Sequence, residues 1–245
     1  MLTTYIAVLA LAFLSGITTL IGIALALYFK KSKIGIVIGL GFSAGIMISI
    51  SFLELVVESS QLISELYVML AFSFGFLIIM FFDIMLPHTH FIKEKGRMKT
   101  FVRVGFLVAI GIILHDFPEG LAMASSYFFN RYLGILVALA IAIHNIPEEF
   151  AMALPLVIAK KNRLLLKFGI ASALAEPLGA VIGIFAISIF PYLTPFFMAF
   201  AAGAMVFISV DEFVPLAQNF KEGHYFAVGL LVGILTYILL STLIL

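Results

Sequence analysis

An all-α membrane protein of eight spanning helices is the fold class this sequence predicts, and three observations carry it. Of 245 residues, 64% are hydrophobic and 11% charged, with a mean hydropathy of +1.24, far from the balance of a soluble domain. Apolar runs of ~20 residues, enough to cross a bilayer, recur along the whole length. The cations between them alternate. Thirteen of the fourteen Lys and Arg fall in the odd-numbered loops of an eight-span arrangement, and only Arg131 falls in an even one.

The spans are expected near residues 3–29, 34–57, 66–86, 101–128, 133–158, 165–190, 195–217 and 224–245, forming one membrane domain over 1–245. The first has no basic segment before it and is too long for a signal peptide, so it reads as a span. Lys30, Lys31 and Lys33 follow it. The third loop carries Lys93, Lys95, Arg97, Lys99 and Arg103, the fifth Lys160, Lys161, Arg163 and Lys167, and the seventh Lys221. Cations gather on the cytoplasmic side, so both termini are expected to be extracytoplasmic, in a multi-pass protein of the cell membrane. Membrane lipid is its surroundings, and nucleic acid is not an expected partner. There is no cysteine, which excludes disulfides, thiolate metal sites and a Cys nucleophile.

Two stretches are near copies 29 residues apart: Leu114-His-Asp-Phe-Pro-Glu-Gly-Leu-Ala-Met123 and Ile143-His-Asn-Ile-Pro-Glu-Glu-Phe-Ala-Met152. Each sets a His and a Glu at i and i+4, on one helix face. Consecutive spans run in opposite directions, so the copies face each other at similar depth. A second repeat has an offset of 158, matching Gly41–Glu54 in span two with Ala199–Glu212 in span seven. Together they describe a 3+2+3 plan with inverted symmetry, as in secondary transporters.

Eight acidic residues lie within the spans and away from the loops, with no Lys or Arg at their depth: Glu54, Asp116, Glu119, Glu148, Glu149, Glu176, Asp211 and Glu212. A charged carboxylate near the bilayer centre costs about 2.5–3.5 kcal/mol, so the group requires protons or a bound cation. His115 with Glu119, and His144 with Glu148, offer nitrogen and oxygen donors suited to Zn(II), Fe(II), Mn(II) or Co(II) and not to Na(I) or K(I). Asp116 and Asn145 add oxygens at i−3 to the same glutamates, which describes two adjacent metal positions bridged by Glu119 and Glu148. Glu176 can complete the cluster. Met47 and Met205 each stand two turns before an acidic residue. Met47, Glu54, Glu149, Asp211 and Glu212 are accessory candidates, while methionine at these positions also serves as packing. Pro118 and Pro147 are expected to kink their helices and free the carbonyls of Leu114 and Ile143.

These motifs resemble the ZIP (Zrt/Irt-like) family of divalent-metal transporters, closest to its prokaryotic ZupT/GufA branch. The resemblance rests on His-x-x-Pro-Glu in span four, His-Asn-x-Pro-Glu in span five and Ala-Glu-Pro in span six, and covers essentially the whole chain. It implies uptake of Zn(2+), Fe(2+) and possible further ions such as Mn(2+) or Co(2+) into the cytoplasm, with no catalytic cofactor and a possible homodimer. It implies a zinc-type position of Glu119, His144 and Glu148 with His115 nearby. An adjoining iron-type position would use Asp116, Glu119, Asn145, Glu148 and Glu176. It also implies alternating access, spans 1, 4, 5 and 6 moving against 2, 3, 7 and 8. Asp116 stands where the family usually has Asn, and Glu149 where Gly commonly follows. His88 and His90 are what this chain has of a loop that is often His-rich in the family, where metal sensing competes with simple exposure.

Two other classes are weighed against transport. An intramembrane metalloenzyme would want His-Glu-x-x-His, or Glu-x-x-His at a di-metal centre, and the chain has neither, so no enzyme is expected. A proton or ion pathway without metal would use the same carboxylates but leaves the paired histidines unexplained.

Overall fold

Backbone in hydrocarbon has no water to bond with, and the α-helix satisfies its N–H and C=O groups within one segment. The computed structural model describes residues 2–29, 33–85, 97–218 and 223–245, the side chains of Lys33, 97–108, Glu212 and Leu216 excepted. His88 and His90 lie outside the described residues. The helices are α1 (Leu2–Tyr28), α2 (Lys33–Ser49), α3 (Val56–Leu62), α4 (Glu65–Met85) and α5 (Arg97–Phe129). They continue as α6 (Arg131–Ile158), α7 (Asn162–Ile189), α8 (Thr194–Ile208), α9 (Val214–Gln218) and α10 (Gly223–Ile244), with no strand among the described residues. π-helical segments Ile50–Leu55 and Ser209–Phe213 join α2 to α3 and α8 to α9, so the ten helices make eight rods. Among the described residues, seven stretches are long and apolar enough to cross a membrane. The eighth rod is α5, 33 residues long, with Asp116 and Glu119 in its second half.

Two expectations are refined. The second rod runs to Leu62 rather than 57, because the polar run Glu58-Ser-Ser remains helical. Ser59 anchors it, its hydroxyl shared between the carbonyls of Leu55 at 2.6 Å and Pro195 at 3.0 Å as a three-centre contact. Helix α5 continues through Pro118, and α6 through Pro147 and Pro155. The π-helical windings among the described residues, Ile50–Leu55 and Ser209–Phe213, contain no proline. In each of these rods a serine hydroxyl bonds back onto the carbonyl four residues earlier. Ser51 donates to the Met47 carbonyl at 2.7 Å, and Ser209 to the Met205 carbonyl at 2.8 Å.

Helix α1 packs on α6 and α7, α5 on α6, α7 and α8, α2 on α10 and α6, and α4 on α8. Lipid tails are as apolar as leucine, so close backbone approach through small residues takes over the role of hydrophobic burial. Gly203 of α8 lies against the Phe72 carbonyl of α4, and Gly75 of α4 against the Phe200 carbonyl of α8. Gly45 of α2 meets the Leu230 carbonyl of α10, and Gly233 of α10 the Phe42 carbonyl of α2. Each contact reappears 158 residues away, as do the two serine–methionine bonds. Long stretches of α4 and α10 leave their leucines and phenylalanines exposed, whereas most of α6 is enclosed.

A side chain at Gly203 would strike backbone rather than a flexible neighbour. Gly203→Leu is expected to lower the stability of the detergent-solubilised protein by about 1–3 kcal/mol, and Gly45→Leu to act likewise on the α2–α10 contact. Thermal unfolding of the purified variants checks both.

Candidate metal centre

A single residue, Asn130, joins α5 to α6. Its Oδ1 accepts from the N–H of Tyr132 at 2.8 Å and of Leu133 at 3.4 Å, capping α6 as asparagine does well. So tight a turn holds the two motifs antiparallel and in register. Glu119 therefore meets His144, Oε1 to Nε2 at 3.0 Å, and one turn away His115 Nε2 contacts Glu148 Oε1. Glu148 also reaches the other histidine, Oε2 lying 3.9 Å from His144 Nε2. All four side chains are buried, with relative exposures of 0–2%.

The hydrogen-bond pattern at His144 is informative. Its Nδ1 lies 3.2 Å from the Ala140 carbonyl, and a carbonyl only accepts, so Nδ1 carries a proton. In a neutral ring that leaves a lone pair on Nε2, aimed at a carboxylate oxygen that also offers lone pairs. A cation between them resolves the conflict, with the Nδ1–H···O=C bond orienting the ring as in metal-bound histidines. At the other pair, both nitrogens of His115 and both oxygens of Glu148 lack a hydrogen-bond partner, as do Glu119 Oε2 and Glu176 Oε2. One donor atom each from His115, Asp116 and Glu148 lie within 4.8 Å of one another, close enough for one ion to meet all three. Asp116 Oδ1 is 3.5 Å from His115 Nε2.

Helix α7 adds Glu176, whose Oε1 accepts from Asn145 Nδ2 at 2.6 Å. The seven residues His115, Asp116, Glu119, His144, Asn145, Glu148 and Glu176 thus gather where α5, α6 and α7 meet. The accessory candidates divide. Glu149 joins the group by a bond from Ser172. Met47 is fully buried, its sulfur 3.7 Å from the Ser209 hydroxyl. Glu54 accepts from Ser241 of α10 at 3.2 Å, and Asp211 is exposed. The Glu212 side chain is outside the described residues.

Three residues were missed by the sequence reading. Ser15 of α1 lies 3.4 Å from Asn145 Nδ2. Ser43 of α2 donates to the His144 carbonyl at 2.9 Å. Ser172 donates towards Asp116 at 2.7 Å and also meets Glu149. Of these only Ser172 had a usable signal, since it stands four residues before Glu176 and shares its helix face. Phe213, at the end of the second π segment, sets its ring edge-on to His115 at 6.3 Å.

Fold and cluster define a multi-pass membrane protein that buries carboxylates and imidazoles, without Lys or Arg, inside its bundle. A family model described as ZIP Zinc transporter matches residues 92–241. The chain is 41% identical over 256 residues to the zinc transporter ZupT of Chlorobium limicola, covering 95% of this chain and 96% of that one. It is 35% identical to the zinc transporters ZupT of Nitratidesulfovibrio vulgaris and Streptococcus mutans, with 91% of each chain covered in both comparisons. The chain belongs to the ZIP family.

Glu148 meets the two histidines through both of its oxygens, whereas His144 offers Nε2 alone, its Nδ1 lying against the Ala140 carbonyl. Zinc titration of the purified protein is expected to show a larger loss of affinity for Glu148→Ala than for His144→Ala, each on the order of tenfold or more. Equal, negligible losses would count against a shared glutamate.

Proposed function

We propose that this chain imports divalent metal ions, zinc foremost and Fe(II), Mn(II) and Co(II) as further substrates, through the cluster on α5, α6 and α7. The observation that carries this is the pair of crossed His–Glu contacts, which bring imidazole nitrogens and carboxylate oxygens together with no Lys or Arg at that depth. Nitrogen and carboxylate donors together suit a borderline dication. Family membership and the names of the relatives support zinc as cargo.

In this reading Glu119, His144 and Glu148 hold one ion, with His115 at its edge. Asp116, Glu119, Asn145, Glu148 and Glu176 hold a neighbouring one. The two glutamates shared between positions let an ion pass from one to the next without a fully uncoordinated stage. Asn145 keeps Glu176 aimed inwards through its amide, and its own carbonyl oxygen is a neutral donor.

The chain acts as one membrane domain. The contacts repeated at an offset of 158 fit a 3+2+3 inverted repeat. α1, α5, α6 and α7 form one group, and the rods containing α2, α4, α8 and α10 the other. Rocking of one group against the other, across the α5–α8 and α2–α6 contacts, would open the cluster to either side in turn. The distribution of Lys and Arg puts the loop after α6 in the cytoplasm and both termini outside.

Uptake of radioactive zinc into proteoliposomes tests transport. Glu119→Ala and Glu148→Ala are each expected to abolish it, and near wild-type uptake by either would exclude the shared-glutamate path. Orientation is tested separately by single cysteines on this cysteine-free background. In intact cells Thr3→Cys should be labelled from outside, and Ser32→Cys and Asn162→Cys only after permeabilisation. The reverse pattern would mean export.

A further inference from the structure

The α6–α7 interface carries two rungs. Asn145 and Glu149 are four residues apart on α6, and Ser172 and Glu176 four apart on α7, so each pair shares a face. One rung is Asn145–Glu176. The other is Glu149–Ser172, ~6 Å further along α6 at 1.5 Å per residue, and Asp116 of α5 joins it.

This second rung has an unmet requirement. The Ser172 hydroxyl contacts carboxylate oxygens of both Asp116 and Glu149. A hydroxyl has one proton to give, so one of the two oxygen–oxygen contacts has none. Glu149 Oε2 has no partner either, although the residue is only 2% exposed. The side chain is also closed in from above. A Cβ added at Gly22 of α1 would lie 2.8 Å from Glu149 Cβ, so the glycine lets the α1 backbone close over the root of this side chain. Among the described residues, the basic side chain within ion-pair reach of this rung is His115, 3.5 Å from Asp116 Oδ1 on the face away from Ser172.

We propose that Asp116 Oδ2, Ser172 Oγ and the Glu149 carboxylate form a third divalent-cation position made of oxygen donors alone, beyond the histidine-containing cluster towards the C-terminal end of α6. It rests on reading that cluster as a metal path, and it adds a station with a different preference. Carboxylate and hydroxyl oxygens without nitrogen select hard ions such as Mn(II) over Zn(II), with water completing the coordination. Asp116 links the two environments, since Oδ1 faces His115 and Oδ2 faces Ser172. An ion leaving the histidines would therefore exchange nitrogen for oxygen donors before it reaches the end of α6.

Mn(II) is its own probe. The purified full-length protein, first saturated with zinc, is titrated with Mn(II) and followed by electron paramagnetic resonance. We expect one Mn(II) bound per chain, with coupling to water protons and none to imidazole nitrogen. Glu149→Gln, close in size, should weaken this binding on the order of tenfold or more, and Ser172→Ala by several-fold. Zinc content, measured on the same samples, separates the two readings. Mn(II) bound without nitrogen coupling in a protein that takes no zinc would remove the proposed zinc path and leave this position standing. Failure of the zinc-loaded protein to bind Mn(II), imidazole coupling in the bound signal, or unchanged binding by Glu149→Gln would each overturn it. So would loss of zinc together with Mn(II) in Glu149→Gln, which would make Glu149 part of the histidine-containing cluster.

Discussion

The crossed contacts between α5 and α6, His115 with Glu148 and His144 with Glu119, govern what the rest of the bundle has to do. Each carboxylate held in hydrocarbon costs about 2.5–3.5 kcal/mol, and five of them, Asp116, Glu119, Glu148, Glu149 and Glu176, are buried together. No lipid can touch such a group. Helix α6 is therefore enclosed by α1, α2, α5 and α7, while α4 and α10 take the lipid-facing positions behind α8 and α2. Close approach through glycine keeps this packing tight where the hydrophobic effect offers no help. Gly120 lies against the Glu176 carbonyl and Gly179 against that of Phe117, which brings α7 near enough for Glu176 to join the cluster.

The serines divide the remaining polar work. Ser51, Ser59, Ser125 and Ser209 turn back onto carbonyls four residues earlier in their own helices, the usual habit of hydroxyls in apolar helices. Ser43 ties α2 to the carbonyl of His144. Among the described serines, Ser15 and Ser172 address the cluster's side chains. Glu119 Oε2, both oxygens of Glu148, Glu149 Oε2 and Glu176 Oε2 are left without a hydrogen-bond partner, and a cluster that satisfied itself internally would have little reason to take a cation.

Much of this was legible in the sequence because it depends on periodicity. A His and Glu four apart, repeated on the next span, had to meet once the connection was short. Asn130 makes that connection one residue long. The rods, their number and the seven clustered residues follow from the same reasoning. Isolated serines carry no period, so Ser15 and Ser43 gave no sign of their partners. The π segments were equally hidden, because their winding answers to neighbouring rods rather than to a breaker residue. Asp211 looked equivalent to the other intramembrane acids, yet it projects from the exposed side of its π segment. The polar stretch after residue 57 reads as a loop in the sequence because Glu58, Ser59 and Ser60 mimic one, although Ser59 ties it to Pro195.

The rods differ in length, and that bears on how depth is fixed. Helices α4 and α10, of 21 and 22 residues, span ~32 Å at 1.5 Å per residue, close to the ~30 Å hydrocarbon thickness of a bilayer. Helices α6 and α7 have 28 residues each and α5 has 33, so they overreach it by ~12–20 Å. Sliding a matched helix along the membrane normal exposes apolar side chains at one end and buries polar ones at the other. An overlong helix, its ends already among the headgroups, meets less resistance. Bilayer thickness therefore pins the two outer rods, whereas the depth of α5, α6 and α7 is set by their protein neighbours.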